Sequence, residues 1–267
     1  MPRSPHVLAL ICSLLVSPGS ADSAAQAADT AGGIQDGCHI SGEVETGTDA
    51  PPPFEAWLED FKAEVLRCGV SARTIQAAFD GVRPSEKVRR LDRSQPEYSK
   101  TFSAYLRTRV TDGLVRIGRD RVRRHRTLLM DLEDKYGVEA EILVALWGLE
   151  SGFGADIGSI PAITALSTLA HDGRRSAFYR RELLSALRIL EDGHREPGRM
   201  PSSWAGALGQ TQFMPSTFLA HAVDLDGDGR IDLWGSVPDA LASAANYLNR
   251  LGWNRGQPWA REVLLPA

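Results

Sequence analysis

Glu139-Ala140-Glu141-Ile142-Leu143-Val144-Ala145-Leu146-Trp147-Gly148-Leu149-Glu150-Ser151-Gly152-Phe153-Gly154 is the stretch on which the reading of this chain turns. From Ile142 to Leu149 nearly every residue is apolar. A helix over Glu139 to Leu149 therefore has almost no face to offer to water, which places it at the centre of a core. Glu150 ends that helix, and two glycines in the next four residues stop it and let another group approach the backbone closely. A carboxylate there faces the negative end of the helix dipole, with Trp147, Leu149 and Phe153 positioned to strip it of water. Both effects favour its protonated form, as a general acid working near neutral pH requires. Glu150 is the candidate acid/base, although a glutamate is ordinarily a solvated surface group.

Upstream, Tyr98 to Tyr136 reads as one long helical pattern with Phe102, Leu106, Val110, Leu114, Leu128, Leu129 and Leu132 as its apolar members. The arginines at 116, 119, 121, 123, 124 and 126 resemble a polyanion site, but Asp120, Asp131 and Glu133 favour a solvated helix face. Trp57, Leu58, Phe61, Val65 and Leu66 fall at helical spacing. Ser71 then caps a helix carrying Ile75 and Phe79 that ends near Gly81 and Pro84. No segment alternates like a strand over a useful length, so the chain is expected to be mainly α.

The chain has 267 residues with a net charge of −4, which argues against a nucleic-acid binder. Arg3 and His6 followed by the apolar run Val7 to Val16 and the small residues Ser17 to Ala21 read as an export signal, too short to span a bilayer as a mature helix. Ile11 before Cys12 does not suit lipid attachment. The expectation is a soluble exported protein with no stable membrane insertion. Residues 22–53, rich in Ala, Gly, Asp, Ser, Thr and Pro, read as a disordered linker. Cys38 and Cys68 remain after signal removal, either as one disulfide or as two free thiols.

Downstream, Ser202-Ser203-Trp204-Ala205-Gly206-Ala207-Leu208-Gly209-Gln210-Thr211-Gln212-Phe213-Met214-Pro215-Ser216-Thr217-Phe218 alternates amides, hydroxyls, small residues and aromatics. A sugar site needs flat apolar faces and neutral hydrogen-bonding groups, making Ser203, Gln210, Gln212 and Phe213 candidate substrate-binding residues. Met214-Pro215-Ser216 is equally a helix start with Ser216 as its cap. Asp224-Leu225-Asp226-Gly227-Asp228-Gly229-Arg230-Ile231-Asp232 places carboxylates at loop positions 1, 3, 5 and 9 and glycine at position 6, the EF-hand calcium pattern. Its ligands would be Asp224, Asp226, Asp228 and the Arg230 carbonyl. Gly235 stands where a bidentate glutamate belongs at position 12. Asp239 either closes the site from a longer loop or only caps the helix Ala240 to Leu251. One such loop without a partner suggests a structural Ca²⁺; the alternative is a solvated turn.

Trp147 to Gly154, Gly206 to Ser216 and the Asp224 loop, in that order, resemble the membrane-bound lytic murein transglycosylase B family. The resemblance implies a lysozyme-like α core with an additional N-terminal helical domain and an EF-hand-like loop. Its expected division is a signal peptide over 1–21, a linker over 22–53, the helical domain over 54–133 and the catalytic core over 134–267. It implies cleavage of the MurNAc–GlcNAc β-1,4 bond of periplasmic peptidoglycan to a 1,6-anhydro-MurNAc end, with Glu150 performing both proton transfers and Ser203 and Gln212 lining the saccharide site. The family pattern continues with a segment contributing a Tyr-Asn pair to the sugar site, for which this chain has no match; a truncated C-terminal part is the corresponding expectation. The chain offers no obvious second catalytic carboxylate, Asp156 being the only near candidate, which accords with a single acid/base. A water-using muramidase, which would require a second carboxylate or a positioned water, is the first alternative. A non-catalytic peptidoglycan-binding protein is the second.

Overall fold

The computed structural model describes residues 52–94, 102–172 and 175–257. The signal-like segment, the expected linker up to Pro51, Cys38 and the last ten residues lie outside the described residues. Cys68 is disulfide-bonded.

Three helices open the described chain: α1 Phe54–Arg67, α2 Ala72–Phe79 and α3 Glu86–Arg93. The Ser71 hydroxyl accepts from the Thr74 amide as the N-cap of α2, as the sequence predicts. Residues 98–101 lie outside the described residues; from Phe102 on, the expected long helix from Tyr98 to Tyr136 is instead three: α4 Phe102–Arg109, α5 Asp112–Arg124 and α6 Arg126–Tyr136. Thr111 makes the first break, because its extended backbone and its hydroxyl, which accepts from Leu114 N, start a new helix with Asp112 in the first turn. His125 makes the second, as the shared boundary of α5 and α6.

The apolar run becomes α7, Ala140–Ser151, closed by Gly152 in the left-handed conformation. Gly152 N donates to Gly148 O and Phe153 N to Trp147 O. Glu150 is thus the penultimate helical residue. Then come β1 (Ile160–Pro161), α8 (Ala162–His171), α9 (Ser176–Glu191), β2 (Pro201–Ser202), α10 (Pro215–His221) and α11 (Val237–Arg250). β1 and β2 pair antiparallel, Ile160 opposite Ser202, and single bridges extend the platform from Ser202 to Leu208 and from Leu208 to Phe213.

Two apolar clusters hold these elements. The first joins Phe61 and Val65 of α1 to Leu166 of α8, Leu183 and Leu187 of α9, and Leu208, Phe218 and Leu233. The second gathers Leu129, Leu132, Leu143, Val144 and Trp147 against Leu241, Ala245 and Leu248. Alanines at 240, 242, 244 and 245 let α11 lie close against its neighbours, and each is at most 4% exposed.

Long-range polar contacts tie distant parts of the chain together. Arg180 of α9 donates to Glu64 of α1 in a buried pair, its guanidinium 5.2 Å from the Phe61 ring centre. Removing either partner would strand the other's charge away from water. The Ser71 hydroxyl donates to Glu191 at 2.9 Å, and Trp253 Nε1 donates to Glu139 at 2.8 Å. Among the described residues no helix is long and apolar enough to cross a membrane.

Candidate active site

Glu150 is 8% exposed. Its carboxyl is pushed from the ordinary 4.5 up to about 8, because burial penalises the charged form; Arg109, the last residue of α4, opposes the shift without cancelling it. Phe153 supplies part of the cover over this helix end. A Cβ on Gly148 would lie 2.7 Å from its ring, and the ring stands edge-on to Trp147 at 5.5 Å. This fold-back places Phe153 at φ +63°, unusual for an aromatic residue. Ser151, fully buried, accepts from Gly154 N at 2.9 Å and so ties the glycine turn to α7.

The 202–216 segment docks on that turn. Trp147 Nε1 donates to Gln210 Oε1 at 2.9 Å, Gln210 Nε2 donates to the Trp234 carbonyl at 3.3 Å, and Gln210 N donates to Leu233 O at 2.8 Å. Gln210 is therefore a brace between α7 and the chain following Asp224. Gly154 has to be glycine here, since a Cβ would meet Gln210 Oε1 at 2.6 Å. Ser203 is 6% exposed, and its hydroxyl accepts from Ala207 N at 3.1 Å. Gly158 brings the chain after α7 against the Ser202–Ser203 peptide: a Cβ on it would lie 2.1 Å from Ser202 O.

Gln212 carries two marks of a functional position. Its backbone sits at φ +52° without being glycine, and its side-chain oxygen is buried with no hydrogen-bond partner. Strain and an unmet acceptor persist where the surrounding structure imposes them, and such positions cluster at ligand sites. Phe213 is placed differently from an open stacking platform. It is 6% exposed, edge-on to Tyr247 at 5.5 Å and part of the first core cluster. Ser216 does not cap α10. Met214 holds the cap position with Pro215 at the first helical residue, and the Ser216 hydroxyl donates to Glu182 at 2.7 Å while its amide donates to the same carboxylate at 2.9 Å. Burial raises the Glu182 carboxyl, and these two bonds oppose the rise. Glu182 went unnoticed in the sequence because nothing in α9 sets it apart from a surface glutamate.

One basic wall also departs from expectation. Arg123 and Arg124 reach Asp120, at 3.3 and 3.6 Å, on an exposed face as foreseen. Arg121 instead lies over the Trp147 ring, 5.6 Å from its centre. With Arg124, His125, Phe153, Gln210 and Trp234, these two residues line a cleft of about 290 Å³.

In the Asp224 loop, Asp224 accepts from Gly227 N and Gly229 N at 2.7 and 2.9 Å. Ser236, not Asp239, caps α11. Asp239 is 1% exposed and accepts from Leu225 N and Asp232 N, both at 2.9 Å, so it closes the loop from the first turn of the helix. Oxygens of Asp224, Asp226 and Asp239 all lie within 4.8 Å of one another. Hard oxygen donors at that spacing suit a cation bound at ~2.3–2.6 Å. Burial raises the proton affinity of the Asp239 carboxyl, and the charge of Asp226 adds to the rise. Asp228 accepts from Arg230 N at 2.8 Å. Asp232 turns away to Arg195 at 3.3 Å.

A helical core built around an apolar helix that ends in a buried, proton-retaining glutamate, beside a small antiparallel platform, defines a lysozyme-like protein. The chain belongs to the transglycosylase SLT domain family, whose pattern matches residues 53–267. It is 41% identical over 122 residues to membrane-bound lytic murein transglycosylase B of Escherichia coli K12, a match covering 45% of this chain and 34% of that protein. The structure of SltB3 from Pseudomonas aeruginosa in complex with NAG-NAM-pentapeptide superposes with a TM-score of 0.76 at 46% identity, covering 80% of this chain and 57% of that one. The lytic transglycosylase Slt35 of Escherichia coli in complex with calcium gives 0.68 at 28% identity, covering 82% and 71%. The chain thus spans about a third of the curated relative and little over half of SltB3.

Proposed function

We propose that this protein is a periplasmic lytic transglycosylase that cleaves the MurNAc–GlcNAc β-1,4 bond of peptidoglycan and leaves a 1,6-anhydro-MurNAc end. The observation that carries the reading is Glu150, buried at the end of α7 with its proton held up to about pH 8. A carboxyl in that state donates its proton to the departing glycosidic oxygen. The carboxylate so formed takes the proton of the sugar's own C6 hydroxyl as that oxygen closes on the anomeric carbon, which restores the acid. One group serves both steps. Asp156, the second carboxylate nearby, is exposed and accepts from Gly158 N at 3.2 Å, an arrangement that suits a turn better than a hydrolytic partner.

Ser203 and Gln212 are the residues we assign to the saccharide, with the unmatched Gln212 oxygen ready to accept from a hydroxyl or an acetamido N–H. Gln210 contributes by bracing Trp147, and Phe213 by supporting the platform from beneath. SltB3 has been seen with both NAG-NAM-pentapeptide and NAG-anhNAM-pentapeptide, which supports a strand substrate and an anhydro product for this relative.

We assign a structural Ca²⁺ to Asp224, Asp226, Asp228, the Arg230 carbonyl and Asp239. The ion would supply fixed positive charge that holds the loop to α11. Leu233 and Trp234, bonded to Gln210, lie in the same loop, so an ordered loop also supports the brace on α7.

The deciding experiment is digestion of purified peptidoglycan with the mature protein, followed by mass spectrometry of the released muropeptides. Products lighter by one water than reducing ends support the transglycosylase. Reducing ends would assign a muramidase, and sacculus binding without release a binding protein.

A further inference from the structure

The cleft between α5 and the end of α7 has a charge pattern that sugar recognition does not use. Its basic side holds Arg121, Arg124 and His125, and no acidic residue lines it, in a chain whose net charge is −4. Arg121 has no carboxylate partner among the described residues, and its Nε is buried without a hydrogen bond. What holds it is the Trp147 face, 5.6 Å from its guanidinium carbon. Arg124 shares only an exposed contact with Asp120 at 3.6 Å, a weak hold that leaves its charge for another anion. Trp234 and Phe153, 6% and 8% exposed, complete the lining with largely buried aromatic edges. Arginine presents donors in a fork that matches a carboxylate. At about 290 Å³ the space falls just short of the ~300–1,000 Å³ typical of small-ligand sites. It therefore suits the end of a peptide and not a glycan strand.

We propose that this cleft, adjoining the catalytic helix through Trp147 and Phe153, is a subsite for a carboxylate of the peptide carried by the peptidoglycan strand. The assignment rests on the peptidoglycan reading above and extends it from sugar to peptide recognition. Arg121 and Arg124 bind the carboxylate, and Trp147 fixes the Arg121 guanidinium.

The test is a binding series in the Glu150→Gln chain, so that nothing is cleaved, with three preparations of soluble glycan strand: peptide-bearing, peptide-bearing with its carboxylates amidated, and peptide-free with bare lactyl carboxylates. The expected result is roughly tenfold tighter binding of the first than of either other, in line with the ~1.4 kcal/mol that a tenfold change represents. That ratio should fall to about one in Arg121→Gln/Arg124→Gln. Competition by the isolated stem pentapeptide, as acid against amide, reads the same preference without altering either arginine. Equal binding of acid and amidated strands, or a ratio that survives the double substitution, overturns the proposal. Peptide-free strands binding as tightly as the first overturn the peptide as source, in favour of the lactyl group. Failure to bind any strand overturns the peptidoglycan reading itself and is distinct from all of these.

Discussion

Replacing Glu150 by glutamine removes a group whose proton the fold holds, and the consequence for stability has a calculable size and sign. The folded carboxyl titrates at about 8 against an ordinary 4.5. Each unit of difference is worth ~1.36 kcal/mol, so the full separation amounts to about 5 kcal/mol. Because the folded value is raised, the native state binds the proton more tightly than the unfolded chain does. The group's stabilising contribution is complete below pH 4.5 and is lost as pH rises through about 8. At pH 7 the wild type has already lost about 3 kcal/mol by the same arithmetic. Glutamine has nearly the same shape and no charge at any pH. Glu150→Gln should therefore match the wild type near pH 4 and exceed it by several kcal/mol at pH 9. Urea titrations of both proteins between pH 4 and 9 measure this directly. A difference that stays constant across that range would refute the account of a buried, proton-retaining acid.

The same substitution should lower strand cleavage by at least ~10²–10⁴-fold, the usual contribution of a general acid/base; turnover at the wild-type rate would remove Glu150 from the mechanism. Wild-type activity should fall above about pH 8 as the acid ionises. Arg109→Gln, by removing the charge that opposes the shift, should move that limb to higher pH in a kcat/KM profile. Calcium at a hundred times its Kd should stabilise the protein by ~2.7 kcal/mol in a thermal melt, and Asp239→Asn should abolish most of that gain. Gly158→Ala should destabilise by more than ~2 kcal/mol, because it combines a left-handed backbone, φ +84°, with a Cβ 2.1 Å from Ser202 O; an unchanged urea midpoint would contradict the packing described.

The apolar run around Trp147 was legible because a helix with no polar face has only one place to go, and the Asp224 loop's spacing of carboxylates foretold that Asp224, Asp226 and Asp239 could come together, their oxygens within 4.8 Å of one another. The loop's closing residue was not decidable from spacing. Ser236 and Asp239 are both good caps by type, and only the folded helix shows that the first caps while the second reaches back to Leu225 and Asp232. The apolar pattern from Tyr98 to Tyr136 concealed two breaks, since Thr111 and His125 are tolerated inside helices and break them here only through local backbone geometry. Gln210 and Phe213 had the composition of a sugar site, yet the fold commits the first to Trp147 and the second to Tyr247. Arg121 was submerged in a run of similar arginines; its distinction is a partner ring 26 positions away in the chain.

The long-range polar contacts also bear on how the molecule is made. Arg180 and Glu64 are 116 residues apart in sequence, Glu191 and Ser71 are 120 apart, and Trp253 and Glu139 are 114 apart. Closures of that span contribute nothing until most of the chain exists, and proteins dominated by them fold slowly for their size. During synthesis α1 can meet Phe79 of α2 early, but the Arg180 guanidinium that lies against both Trp57 and Phe61 comes more than a hundred residues later. A chain arranged in this way makes these contacts late in its synthesis, two of them only once α9 exists and the third only once Trp253 does.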